Sequence, residues 1–337
     1  SLVFYKEATD GQILEEGFNE AGALSSFIAA GTAYSTQNIN TIPFYTYYSM
    51  FGPQRVGDLI WAAADMRCRG FLVGATSGRT TLNGEGLQHQ DGHSHLLLSS
   101  VPNCLAYDPA FAYELAVIIR HGIYRMYEKQ DSVFYYLSVG NENYPMPVMP
   151  EGVKDGIIKG MYKFKASAKK GSTLRAQLFG SGAIMNQVLD AQKILEEKYN
   201  VGTDVWSVTS YNEIRREALH IERWNTLHPL EQPQVPYITS LLEKEDGVFV
   251  AASDYMKTLP DAVSRWSPRK LVSLGTDGFG RSESRIALRD FFEVDSRHIV
   301  YATLGSLYRE KKISADVLKT AAKDLNINPD KLNPMIS

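Results

Sequence analysis

FYTYYSMFGPQRVGDLIWAAADMRCRGFLVGATSGRTTLNGEGLQHQDGHSH, Phe44 to His95, decides how this chain folds. IPFYTYYSMF (42 to 51) and FLVG (71 to 74) are apolar, aromatic and β-branched, so both predict strands, and VGDLIWAAADMR between them predicts a helix. A strand, a helix and a second strand form the unit of a parallel sheet. VFYYLSV (133 to 139) predicts a further strand, and Asp108-Pro109 predicts an N-cap and first helical residue for a helix bearing Leu115, Ile118, Ile119, Ile123 and Met126.

Farther along, NENYPMPVMPEG places Pro145, Pro147 and Pro150 within six residues, which ends regular structure and predicts a domain boundary near residue 150. Beyond it LRAQLFG, DVWSVTS, GVFVAAS and KLVSLG predict strands, with helical stretches such as AIMNQVLDAQKILEEKY between them. The expectation is α/β throughout, the second part being the smaller domain. Upstream, Ile13, Gly17, Glu20, Leu24 and Phe27 recur at steps of four and three, the stripe of one helix face. Glu20 then lies either buried on that stripe, where a carboxyl shares or donates a proton to a ring nitrogen, or at its rim.

Composition limits function. The 337 residues hold 44% hydrophobic and 22% charged side chains, as globular chains do, and the net charge of −3 suggests neither nucleic acid nor an anionic membrane as partner. There are two cysteines, Cys68 and Cys104, no 18-residue apolar run, and an opening SLVFYKEATDG without the order of a signal peptide. Cytoplasmic placement is the expectation.

The loop that closes the quoted stretch carries His89, His93 and His95, three of the chain's seven histidines. Glycines at 78, 84, 86 and 92 fit a polar surface loop. His89, Asp91, His93 and His95 also offer metal ligands at short spacing, though in neither the HExxH nor the CxxC zinc pattern. A third reading is an acid–base loop, since histidine moves protons at neutral pH and glycine lets the backbone approach a ligand. Composition alone leaves these open.

With VPNCLAYDPAFAYELAVI, NENY, SVTSYNE, ERWNTLHPLE, VPYI, SDYMK, LGTDGFGRSESR and NINPDKLNP, the quoted stretch closely resembles the thiamine-dependent, decarboxylating first component of the pyruvate dehydrogenase complex, of the homodimeric bacterial type. The resemblance runs along essentially the whole chain. It implies a partial pyrimidine-binding domain of a thiamine diphosphate enzyme over 1–149 and a transketolase C-terminal-like α/β domain over 150–337.

It further implies roles for particular residues. Glu20, in GQILEEGFNEAGA, matches the glutamate that contacts N1′ of the cofactor's aminopyrimidine and so promotes loss of the thiazolium C2 proton. Phe51 matches the aromatic packed on that ring, with Tyr48 at the same strand end. His89, in GEGLQHQDG, matches the histidine that faces the reacting centre, Glu85 is its candidate support, and His93 and His95 are supporting or structural. No metal ligand is assigned. Magnesium and the diphosphate belong, in the resemblance, to a GDG-containing domain, and no GDG occurs in these residues. The partners implied are a second copy of the chain, pyruvate and the lipoyl domain of the dihydrolipoyl acetyltransferase component. The expectation is a fragment inactive alone; the alternative is a non-catalytic dimerisation or assembly module. GTDGFG, Gly275 to Gly280, is read as structural or as an interface, not as a phosphate loop.

Overall fold

The computed structural model describes residues 6–337. Its strands form two sheets. The first is parallel throughout: β1 (Phe44–Tyr48), β2 (Phe71–Ala75), β3 (Cys104–Tyr107) and β4 (Phe134–Ser138) lie in the order β1-β2-β4-β3. The second holds β5 (Met161–Lys165), β6 (Leu174–Gly180), β7 (Val201–Val208), β8 (Val248–Ala252) and β9 (Leu271–Leu274) in the order β5-β7-β6-β8-β9, with only β5 antiparallel. No helix among the described residues is long and apolar enough to cross a membrane.

Neighbouring residues feed opposite faces of each sheet, as pleating requires. Leu72, Ala106, Phe134 and Tyr136 join one core and Phe71, Leu105, Tyr135 and Leu137 the other. In the second sheet Leu178, Val205 and Val250 face the helices Met185–Lys198 and Ser296–Arg309, while Phe179, Trp206 and Phe249 face the helices Tyr211–Leu227 and Tyr237–Leu242. Covering both faces explains why the strands read as apolar runs.

Three expectations need correction. The second part, expected to be smaller, has the larger sheet, five strands against four. The helix expected to start at Asp108-Pro109 starts at Ala112, because the Glu114 carboxylate reaches back to the backbone N–H groups of Ala110 and Phe111 and caps it there. Asp108 instead accepts from Ser138 Oγ at 2.6 Å. The first helix is Glu20–Thr36 with Asn19 as its N-cap, so Ile13 and Gly17 lie outside it and the stripe begins only at Glu20. Asn19 Oδ1 accepts from the Gly22 N–H at 3.0 Å, a side-chain cap that ends the helix before the apolar period does.

The two sheets are joined by a polar seam. Asp254, just beyond β8, accepts from the backbone N–H and hydroxyl of both Thr80 and Thr81, at 2.6 to 3.0 Å. Gly78 makes room for this: its φ is +91°, and a Cβ there would sit 2.3 Å from an Asp254 oxygen. Buried Arg79 donates to the carbonyl oxygens of Thr276 and Gly278, which gives the GTDGFG turn a structural task. Glu114 accepts from Ser207 Oγ and Tyr162 Oη, and Asn212 Nδ2 donates to the His95 carbonyl.

Candidate active site

In a parallel α/β sheet, functional groups collect beyond the carboxyl ends of the strands. β1 runs out into Tyr48, a single 3₁₀ turn Ser49–Phe51, and the helix Pro53–Asp65; β2 runs out into the loop that carries His89. The two exits are adjacent because β1 and β2 pair in register, Tyr48 opposite Ala75. Gly52 sits at the bend, where a Cβ would come within 2.2 Å of the Tyr47 ring.

What locks the exits together is Asp91. Fully buried, it accepts from Ser49 Oγ on the first exit, from Gln54 Nε2 at 3.1 Å on the helix that follows, and from Ser94 Oγ and the backbone N–H groups of His93 and Ser94 on its own loop. Gln90, also fully buried, donates to the Leu82 carbonyl at 2.8 Å and accepts the Arg281 N–H at 2.7 Å. The loop is therefore fastened at its base, middle and end, and His89 stands on a rigid support.

Phe51, Tyr48 and His89 converge. The His89 ring lies 5.1 Å from Phe51 and 5.3 Å from Tyr48, centroid to centroid, and the latter two are 6.1 Å apart. Glu85 Oε2 approaches His89 Nδ1 at 3.5 Å but makes no hydrogen bond with it, so Nδ1 is a buried polar atom with its hydrogen-bonding capacity unspent. Glu20 joins the group from another element. Its side chain is 19% exposed, at the rim of the helix stripe and not buried on it, and its carboxylate meets Arg55 Nη1 at 3.3 Å. Arg55 in turn places its guanidinium 4.0 Å above the Phe51 ring. Tyr45 on β1 registers the nearby carboxylate: burial, then the charges of Glu20 and Glu16, push its phenol up to about 12.

All five site residues read from the sequence thus fall in one cluster, and Arg55, which that reading passed over, links Glu20 to the rest. A usable signal existed in the spacing of Phe51 and Arg55, four apart around a helix start. The metal-ligand spacing in the loop does not become a site. His93 Nδ1 faces Arg79 Nη2 at 3.4 Å, His95 Nε2 bonds Ser138 Oγ at 2.9 Å, and Asp91 is occupied by the donors above. The trio of possible ligands that does come together among the described residues is Asp290, Asp295 and His298, in the second part of the chain, where Arg297 already bridges the two carboxylates.

Two buried groups beside the loop have displaced proton affinities. Burial lowers His95 to about 4, opposed by the Asp91 charge. Burial raises Asp108 to about 7, opposed by hydroxyl hydrogen bonds led by Ser138. Ser138 Oγ lies between them, donating to Asp108 Oδ1 and sharing a hydrogen bond with His95 Nε2.

Comparison with known proteins gives concordant results. Residues 1–147 match the pyruvate dehydrogenase E1 component middle domain and residues 160–295 the transketolase-like C-terminal domain. The pyruvate dehydrogenase E1 component of Pseudomonas aeruginosa is 54% identical over 99% of this chain, and that of Escherichia coli K12 is 53% identical over 100% of it; the chain spans 38% of the length of each. Among solved structures, transketolase from Leishmania mexicana superposes with a TM-score of 0.60 at 18% identity, covering 80% of this chain and 34% of that one. A split-gene transketolase described as an inactive β4 tetramer superposes at 0.59 with 16% identity, over 84% of this chain and 81% of its own. These structural likenesses show the fold.

Proposed function

The chain belongs to the family of pyruvate dehydrogenase E1 components, and from that premise we propose that it forms the aminopyrimidine side of a thiamine diphosphate site in a pyruvate dehydrogenase (acetyl-transferring). The observation that carries this reading is the convergence of Glu20, Tyr48, Phe51 and His89 at the carboxyl ends of β1 and β2. An aromatic ring for stacking, a carboxylate within reach of it and an unspent buried imidazole nitrogen fit a flat, polar-edged heterocycle. When bound, the cofactor supplies the electron sink for cleaving the carboxylate from a 2-oxo acid.

The chain's own residues then have distinct tasks. Phe51 orients the heterocycle by packing on its face, and Glu20 holds or takes a proton at its ring nitrogen. His89 presents Nδ1 or Nε2 to the substrate side, where it hydrogen-bonds the 2-oxo acid and moves a proton in transfer of the acetyl unit to a lipoyl group. Asp91 and its donors keep the strand exit and the histidine loop in register, so this geometry exists before substrate arrives. Magnesium and the diphosphate are assigned to a domain outside these 337 residues, and the working unit to a homodimer.

The test is release of carbon dioxide from pyruvate with thiamine diphosphate and magnesium, assayed for the 337 residues alone and for the full-length protein carrying them. The chain alone is expected to be inactive, and the full-length protein active and disabled by Glu20→Gln. Robust turnover by the chain alone, or an unaffected Glu20→Gln enzyme, overturns the reading.

A further inference from the structure

At the junction of the two sheets lies a cavity of about 190 Å³. The carboxyl ends of β2, β3 and β4 supply Ser77, Asp108 and Ser138 to its wall, and those of β6 and β8 supply Ala183 and Tyr255. In the second sheet the chain leaves β6 for β7 on one side and returns as β8 on the other, so the ends of β6 and β8 flank a switch point, where open parallel sheets take ligands. None of Glu20, Tyr48, Phe51, Glu85 and His89 lines this space.

Its wall is one-sided in charge. Asp108, Glu142 and Asp254 line it, and among the described residues that do so none is basic. Two of these carboxylates are satisfied: Asp254 by its four donors from Thr80 and Thr81, and Glu142 by Arg289 Nη1 at 3.1 Å. Asp108 is not. It is 8% exposed, its Oδ1 accepts from Ser138, and its Oδ2 has no hydrogen-bond partner in the chain, the nearby Ser181 hydroxyl being likewise unbonded. Burial raises this carboxyl to about 7, and a cation beside it supplies the partner it lacks. The rest of the wall is apolar, with Phe111, Leu115 and Val139 inside and exposed Ala112 and Met146 at the mouth.

We propose that this cavity is a binding site for a small organic cation, an ammonium group on an apolar body, with the charge at Asp108 and the body against Phe111 and Met146. A void of roughly 150 Å³ accommodates benzene, which limits the ligand here to about eight non-hydrogen atoms. The site goes beyond the thiamine chemistry proposed above and does not depend on it.

The experiment is a titration of benzylammonium, benzyl alcohol and benzoate, three probes of one shape and different charge, into the full-length protein saturated with thiamine diphosphate and magnesium. Binding is followed by saturation-transfer NMR for wild type, Asp108→Asn and Ala112→Phe. Asparagine keeps an acceptor for Ser138, and phenylalanine fills the mouth from an exposed position without cutting a buried bond. Wild type is expected to bind benzylammonium about tenfold more tightly than benzyl alcohol, and benzoate more weakly than either. Asp108→Asn is expected to abolish the preference for the cation while leaving the alcohol's Kd unchanged, and Ala112→Phe to weaken both about tenfold or more. Absence of benzylammonium binding, an order other than cation, alcohol, anion, or a preference for the cation that survives Asp108→Asn overturns the proposal. So does binding that Ala112→Phe leaves untouched, which puts the ligand elsewhere on the protein.

Discussion

His89 and Glu85 are separated by 3.5 Å, yet they differ in how much chemistry each can carry. The imidazole is packed between Tyr48 and Phe51, whereas half of the Glu85 side chain faces solvent. A carboxylate so exposed steers its neighbour weakly. His89→Ala in the full-length enzyme is expected to lower turnover of pyruvate about 100-fold, the usual scale for a lost proton-transfer group, and Glu85→Gln by less than about tenfold. Steady-state assays of both variants check the order. Asp108 and His95 supply a second prediction at this scale. Asp108, raised to about 7, makes the folded chain bind more protons than the unfolded one between about pH 4 and 7, so its contribution to stability falls as pH rises through that window. His95, lowered to about 4, stays neutral where the unfolded chain takes a proton, so its contribution is lost as pH falls below about 6.5. The two slopes oppose each other. Urea unfolding at pH 4.5 to 7.5 is expected to show a stability loss toward acid in Asp108→Asn and a stability loss toward neutrality in His95→Asn, each steeper than in wild type.

At the scale of elements, the histidine loop owes its rigidity to Asp91. Removing that carboxylate takes the main acceptor from buried Ser49 and Ser94 and one of two acceptors from Gln54. Asp91→Ala is expected to destabilise the chain by about 3 kcal/mol or more, measured as a shifted urea midpoint at constant slope. Asp91 also shows where sequence reading stopped. Its spacing to His89, His93 and His95 suits a metal, but its bonds to the N–H groups of His93 and Ser94, two and three residues on, are those of a capping turn. The histidine-rich context hid a local pattern that its own residue type announces. β1, β2, β4 and β6 through β9 were legible as apolar runs, β2, β4 and β6 through β8 because both sheet faces are covered there, and the partly exposed β1 through its aromatic residues. β3, whose four residues are all buried, and β5, whose MYKFK begins directly after a short helix, offered neither length nor alternation. Glu20, Tyr48, Phe51, His89 and Glu85 were picked out by family resemblance, and Arg55 was not, since its four-residue spacing from Phe51 is a weak mark on an exposed helix position.

For the molecule as a whole, the seam between the sheets is built from buried polar groups that each side lacks by itself. Asp254 binds the base of the histidine loop, and Glu114 reaches Ser207 and Tyr162 across the junction. Separating the sheets would leave these groups unpaired, so the chain is expected to unfold in one calorimetric transition. Asp254→Ala is expected to split that transition into two, and a second peak in the wild-type scan would contradict this account.

One feature of the second sheet bears on association between copies. Its single antiparallel strand, β5, lies at an edge, carries Lys163 and Lys165, and breaks register between them with an irregularity. Charged side chains and a bulge make such an edge a poor template for another strand. That border is closed to zipper-like growth, so any pairing of copies built on this sheet's β5 side must go through side chains on helices and loops. Replacing Lys163 and Lys165 by valine would remove that guard, with fibril growth as the hazard.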